Sequence, residues 1–254
     1  MVIRLERGQF HDVVLTEDVV YRIPRDADSA RRLPARIAML DALRSVPLPV
    51  AVPEPLPGGN GRVAVLRPVP GEPLPDGFRE DSAGLVWQLV RLLNALRDAG
   101  PLLVGVVPAV DRQLWNGFAR DVRAELWPLM SAAGRERAAA ELAAVAAVDP
   151  TGDALVHGDL GGANVRWSGP PARPNLVGVI DWDSAVLGDQ AVDLAGLAVT
   201  VGWPAAERVA ELRGTATDIP KARAIAGTFA LQQALPALRA GDAASLAGGL
   251  RPYR

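Results

Sequence analysis

A run of stiff residues, Pro68, Pro70, Gly71, Pro73 and Pro75, constrains the fold of this chain more than any other feature. Proline fixes φ and lacks an N–H donor, so neither a helix nor a central strand passes through the run. The signals on its two sides differ. Before it, residues 2–5, 13–16 and 19–23 are rich in β-branched side chains and read as strands, with Gly8 and Glu17-Asp18 as turns. One helix is expected there, through Leu33, Ile37 and Leu40, backed by Met39 and Leu43 and started or kinked by Pro34. The proline-rich stretch 47–57 and the Gly58-Gly59-Asn60-Gly61 turn lead to a strand over 62–66.

After the run the pattern is mostly helical. Leu85, Leu89, Leu92 and Leu96 mark one helix face, capped by Asp81 or Ser82 and ended by Gly100-Pro101. Further helices are expected from Asp111, with Leu114, Phe118, Val122 and Leu126 on one side, and over 135–148. Short strands follow at 154–156, 165–167 and 176–180, and helices return from Gln190 onward. The expectation is an α+β chain in two parts: residues 1–70, β-rich with one helix, and residues 71–254, larger and mainly helical.

Composition removes several function classes. The chain has no cysteine and two histidines, His11 and His157, which excludes disulfides, thiolate zinc and a multi-histidine metal cage. A formal charge of −2 gives no basic stripe for nucleic acid. Residues 1–70 hold 10 basic and 8 acidic side chains, net +2, which leaves 17 basic and 21 acidic, net −4, beyond them. An acidic larger part suits a cationic partner. No segment approaches the ~20 apolar residues of a membrane span, and the first residues are too charged for a signal peptide. The expected location is cytoplasmic.

The chemistry concentrates where apolar β segments end. His157-Gly158-Asp159 and Asn164 follow one such segment, and Asp181-Trp182-Asp183 follows another. Asp159, Asn164 and Asp181 are oxygen donors of the kind that suits Mg²⁺, an ion completed by water and substrate phosphates. A further carboxylate beside those phosphates accepts a proton from an attacking hydroxyl. The chemistry this set points to is phosphoryl transfer. Taken singly, each aspartate also fits a turn-capping role.

His157-Gly158-Asp159 with Asn164, then Ile180-Asp181-Trp182-Asp183 and Gly188-Asp189 with Asp193-Leu194-Ala195, resembles the aminoglycoside phosphotransferase family. The resemblance is sharpest over residues 154–196 and extends in length and element order over most of the chain. It implies a bilobal protein-kinase-like fold, with a small β-rich amino-terminal lobe and a larger helical one. It also implies transfer of the γ-phosphate of ATP or GTP, with Mg²⁺, to a small-molecule hydroxyl, by a monomer or homodimer. Asp159 matches the catalytic base, Asn164 and Asp181 the metal ligands, Asp193 a structural aspartate and His157 a buried hydrogen-bonding residue of the catalytic loop.

In the small lobe, Val20-Tyr21-Arg22-Ile23-Pro24 resembles the strand that offers a phosphate-binding cation, with Arg22 in a place often held by lysine. An arginine fork there is expected to hold two phosphate oxygens at once. The following helix should offer a glutamate partner, and the matching position holds Arg36. Gly8-Gln9-Phe10-His11 stands at the phosphate-covering turn, so Gln9 and His11 are candidates there. The backbone C=O of Arg67 and N–H of Val69 would pair with a purine base. Gly161-Gly162 replaces the His-Pro common after the catalytic Asp-Leu, and loosens that loop.

For the acceptor, Asp111, Asp121, Glu125, Asp183 and Asp189 are candidates to meet ammonium groups, and Trp115, Trp127 and Trp182 to supply stacking faces. The family covers kinases of aminoglycosides, macrolides, cyclic-peptide antibiotics and amino alcohols, and an antibiotic is the expected acceptor. The rivals are a housekeeping small-metabolite kinase, a catalytically inactive nucleotide-binding protein motivated by Arg22 and Arg36, and a metal-dependent hydrolase, which would want more ligands than these three.

Overall fold

A computed structural model describes residues 4–7, 11–59, 61–74 and 83–254. The expected features at Val2, Ile3, Gly8, Gln9, Asn60, Pro75, Asp81 and Ser82 lie outside these residues. The small lobe is a five-stranded antiparallel sheet in the order β1 (Arg4–Arg7), β2 (His11–Leu15), β3 (Val20–Pro24), β5 (Ala64–Arg67), β4 (Glu54–Pro55). Helix α1 (Ala27–Leu43) packs against it. This helix starts seven residues before Pro34. Asp26 caps it, accepting from the Ser29 N–H at 2.7 Å, so the start is set by a capping side chain and the proline is carried inside. Leu33, Met39, Leu40 and Leu43 form its buried face.

The larger lobe contains α2 (Ala83–Ala99), α3 (Leu114–Glu125), α4 (Ala132–Ala146), β6 (Ala154–Val156), β7 (Val165–Ser168), β8 (Asn175–Val179), β9 (Val186–Gly188), α5 (Ala191–Val201), α6 (Trp203–Arg213), α7 (Ile219–Gly227), α8 (Phe229–Ala240) and α9 (Ala243–Leu250). Helix α2 buries Leu85, Leu89, Leu92 and Leu96 as their spacing requires. Each such leucine contributes about 2 kcal/mol of burial. Helix α3 begins at Leu114 rather than Asp111, because Asp111 turns the chain by accepting from the Gln113 N–H at 2.8 Å. Its core face runs through Trp115, Ala119 and Val122, and Leu114 stays exposed.

Two apolar cores result. One runs without a break from α1 and β5 through α2 to α5, α6 and α7. The second joins α3, α4, α8 and α9 with the buried Tyr253. The hairpin β7–β8 lies between the lobes and is held on both sides. Ala51 pairs with β8, through Ala51 N–H to Val177 O and Val179 N–H to Ala51 O, each 2.9 Å. Glu72 pairs with β7, through bonds of 2.8 and 2.7 Å to Trp167.

Candidate active site

Strand β6 is buried throughout and delivers His157-Gly158-Asp159 into the cleft. Gly158 has φ +84°, and a Cβ there would lie 2.6 Å from the Ser184 carbonyl oxygen. Only glycine lets this loop sit directly against the Asp181–Ser184 turn. Asp193, in the first turn of α5, is fully buried and accepts from the His157 and Gly158 N–H groups, each at 2.9 Å. Burial pushes its carboxyl up to about 7, against the pull of those two donors.

His157 ties the two loops together. Its Nε2 donates to the Ile180 carbonyl at 2.9 Å, and its Nδ1 accepts from the Asp159 N–H at 3.2 Å, partners that select the Nε2–H tautomer. Burial pushes the imidazole down to about 4, so the ring is neutral at physiological pH. Trp182 packs edge-on to it at 4.7 Å and donates its indole N–H to Val179 O at 3.1 Å.

Asn164 bridges the expected base and the expected metal site. Its Nδ2 donates to Asp159 Oδ2 at 2.8 Å and to Asp159 O at 3.0 Å, while its backbone carbonyl accepts from the Ile180 N–H at 2.9 Å, next to Asp181. Burial raises the Asp159 carboxyl, Asn164 opposes this, and the Asp181 charge adds to it. Asp181 has φ 61° and ψ 62°, a left-handed conformation that aspartate tolerates better than most residues. The Gly161-Gly162 pair does not loosen the loop. Gly161 is in close approach to helix α5, where a Cβ would meet Gly196 O at 2.6 Å, and the Gly162 N–H donates to Thr200 Oγ1 at 2.7 Å.

On the roof of the cleft, the Arg22 fork is engaged by carboxylates. Its Nη1 and Nη2 donate to Asp183 Oδ1 and Oδ2 at 3.1 and 2.7 Å, and Nη2 also reaches Asp181 Oδ1 at 3.1 Å. Arg36, on α1, forms an ion pair with Asp183 Oδ2 and donates to the Asp183 carbonyl at 3.4 Å. His11 is buried and places Nδ1 3.4 Å from Asp183 Oδ2 and 3.3 Å from Arg22 Nη2. Burial pushes the Asp183 carboxyl up, but the His11 hydrogen bond and the Arg22 and Arg36 charges outweigh it and hold it at about 2.

Several expected acceptor residues are thereby reassigned. Asp183 faces the small-lobe arginines. Trp182 is only 1% exposed and presents no face to a ligand. Asp121 and Glu125 are engaged by Arg239, at 2.8 Å for Asp121 and 3.1 Å for Glu125 Oε2, and neither lines the cavity described next. Trp127 lies under Arg123. Arg67 pairs its exposed side chain with Glu54 at 2.8 Å, and the Val69 side chain packs over Gly178 in β8; neither contact involves the backbone groups expected to meet a purine.

A cavity of about 420 Å³ opens beside Gly158, at the seam between the two cores. Trp115 and Phe118, in an edge-to-face pair at 6.3 Å, form one wall, and Asp111 and Asp189 lie on another. Lys221 holds Asp189 at 2.6 Å, a partner absent from the motif. Among the described residues, no three His, Cys, Asp or Glu side chains gather to hold a metal on their own. Asn164 and Asp181 are an amide and a carboxylate donor, a set that fits Mg²⁺ completed by phosphate oxygens.

Sequence reading missed Arg36, Asp183, Thr200 and Lys221 as partners. For Arg36 the signal was present, since a cation at an anion's position implies an anion elsewhere.

The profile of the phosphotransferase enzyme family matches residues 2–225. The viomycin phosphotransferase of Streptomyces vinaceus is 41% identical over 263 residues, covering 98% of this chain and 92% of that protein. Among solved structures, an aminoglycoside phosphotransferase in complex with GDP and kanamycin aligns with a TM-score of 0.85 at 21% identity, over 98% of this chain and 91% of that one. Macrolide 2'-phosphotransferase type I aligns at 0.75 and 21% identity, over 97% and 89%. At such identities these two structures establish the shared two-lobed fold.

Proposed function

The chain belongs to the phosphotransferase enzyme family, and we propose that it moves the γ-phosphate of ATP or GTP to a hydroxyl of an antibiotic, with viomycin as the first candidate acceptor. The observation that carries the chemistry is the Asn164 bridge, which joins Asp159 to the turn that bears Asp181. The 41% identity to viomycin phosphotransferase supports the acceptor.

In this reading Asp159 accepts the proton of the acceptor hydroxyl. Its raised carboxyl makes it a better base than an exposed aspartate, and the Asn164 amide fixes its orientation. With its Nδ2 turned to Asp159, Asn164 would hold Mg²⁺ through its side-chain oxygen together with Asp181, and the ion, when bound, would neutralise phosphate charge. His157 and Asp193 hold the loop without taking part in proton transfer. The cavity beside Gly158 receives the acceptor body. Lys221 offsets Asp189 there, so Asp111 is the carboxylate that meets a cationic group. The reading puts the reaction in the cytoplasm, beside its nucleoside triphosphate.

The test is phosphoryl transfer from Mg·ATP or Mg·GTP to viomycin, kanamycin and a macrolide, followed by mass spectrometry of the antibiotic. We expect viomycin to gain one phosphoryl group at a kcat/KM at least about tenfold above the others, a difference of one good contact. Preferential turnover of kanamycin or the macrolide overturns the acceptor assignment.

A further inference from the structure

We propose that Asp183 is a positioning residue that holds Arg22 in the phosphate site, in the part a helix glutamate would otherwise play. The inference rests on the nucleotide site proposed above and concerns how that site is built.

Arg22 sits on β3, in register with Val13 on one side and Ala64 on the other, in the interior of the five-stranded sheet. Its side chain is 16% exposed, so it requires an anion close by. The helix that crosses this sheet offers none at the matching position. It carries Arg36, also largely buried at 15%. Two cations on neighbouring elements of one lobe repel unless a carboxylate comes between them. Asp183, only 9% exposed, comes from the other lobe and does so. It takes both ends of the Arg22 fork, the geometry in which an arginine–carboxylate pair is most directional, and with the same Oδ2 it takes Arg36. Among these groups, two arginines stand against two carboxylates, Asp181 and Asp183.

The arrangement has a consequence that a strand–helix pair within one lobe would lack. Asp183 lies two residues after Asp181, in the same tight turn. Holding Arg22 through Asp183 therefore fixes the strand cation and the turn bearing Asp181 relative to each other, and does so only while the lobes keep this approach. Of the two carboxylates on Arg22, Asp181 is 47% exposed and Asp183 is 9% exposed. A polyphosphate replaces the exposed contact, and the buried one persists and aims the guanidinium.

The experiment compares Asp183→Asn, Arg36→Glu and the double variant Asp183→Asn/Arg36→Glu with the unmodified chain. The readouts are ATP and GTP binding by calorimetry without acceptor, kcat and nucleotide KM with acceptor, and thermal unfolding of the free protein. Asp183→Asn is expected to weaken nucleotide affinity and raise nucleotide KM by at least about tenfold, the scale of one charge-assisted contact, with the acceptor KM unchanged. The double variant gives Arg22 a conventional helix partner and is expected to recover nucleotide affinity to within about threefold of the unmodified chain. Unchanged affinity in Asp183→Asn, or a double variant no better than that single one, overturns the proposal. If Asp183→Asn does not fold, the double variant carries the test, because it returns a carboxylate to Arg22: a folded double variant that binds nucleotide within about threefold of the unmodified chain upholds the proposal, and one that does not fold or binds more weakly overturns it. A chain that binds nucleotide but phosphorylates no antibiotic tested refutes the acceptor assignment alone, because the binding readout remains. A chain that binds neither nucleotide refutes both.

Discussion

On the floor of the cleft, Asp193 and His157 fix the loop around Asp159 through hydrogen bonds to backbone groups. On the roof, Arg22 and Arg36 are fixed by a carboxylate of the opposite lobe. The floor bonds from Asp193 close over 35 and 36 residues, and the roof contacts of Arg22 and Arg36 to Asp183 over 161 and 147. The floor is assembled by two loops that meet within one lobe, and it uses a neutral imidazole and backbone dipoles. The roof uses full charges and exists only when both lobes are in place. The difference teaches that, in the proposed reaction, the base is held from within one lobe and the phosphate-site cation from across the cleft, and substitutions should therefore separate the two.

The largest effect expected is on the floor. In the proposed reaction Asp159→Asn removes the proton acceptor and keeps the side-chain volume, so kcat should fall by about 10²-fold or more while calorimetric affinity for Mg·ATP or Mg·GTP stays unchanged. Turnover near the original rate would mean that the base is another group.

Next comes the imidazole. Above pH 6.5 His157 is neutral in folded and unfolded chains and adds no pH dependence. Below 6.5 the unfolded chain takes up a proton, while the folded ring, held at about 4, does not. Stability should therefore fall with pH, by about 2 kcal/mol between pH 7 and pH 5 from this group. His157→Gln should flatten that part of the denaturation profile. An unchanged slope in the variant would show that another group titrates there.

The smallest effect sharpens the roof. A lysine is a point charge and cannot take both oxygens of Asp183. Arg22→Lys should thus bind nucleotide about fivefold more weakly, a part of one charge-assisted contact, with its kcat for bound substrates nearly kept. Full affinity in Arg22→Lys would mean that the fork geometry is dispensable.

The floor was legible through the family resemblance over residues 154–196, which carries His157, Gly158, Asp159 and Asp193. A buried strand ends at His157-Gly158-Asp159, a glycine permits the approach, and an aspartate opens the next helix. The leucine spacing of α2 was legible from a local rule, since burial of one face sets it. The helix through Leu33 was read as started or kinked by Pro34; the Asp26 cap sets its start instead, and the proline is carried inside. The two glycines after Leu160 were read as slack, although the lack of a Cβ at Gly161 serves packing against Gly196. The roof was legible only in part: Arg22 and His11 were expected there, but no local pattern announces Asp183, a partner 161 residues away from Arg22. Asp121, Glu125 and Trp182 show the same limit: acidic and aromatic side chains look alike as letters, and only Arg239 and the core show what engages them.

The proline run is the sharpest division in the sequence, but the β7–β8 hairpin makes it a poor division in thermodynamics. Ala51, from the small lobe, adds ladder hydrogen bonds to the β8 edge of that hairpin, Glu72 ties the proline run itself to the β7 edge, and the larger apolar core continues from α1 into α5 without a gap. Neither lobe can melt without exposing the partner's strand edges and leucines to water. Heat and denaturant therefore act on one cooperative unit, and a cut at residue 70 separates two fragments that each lack part of what keeps the other folded.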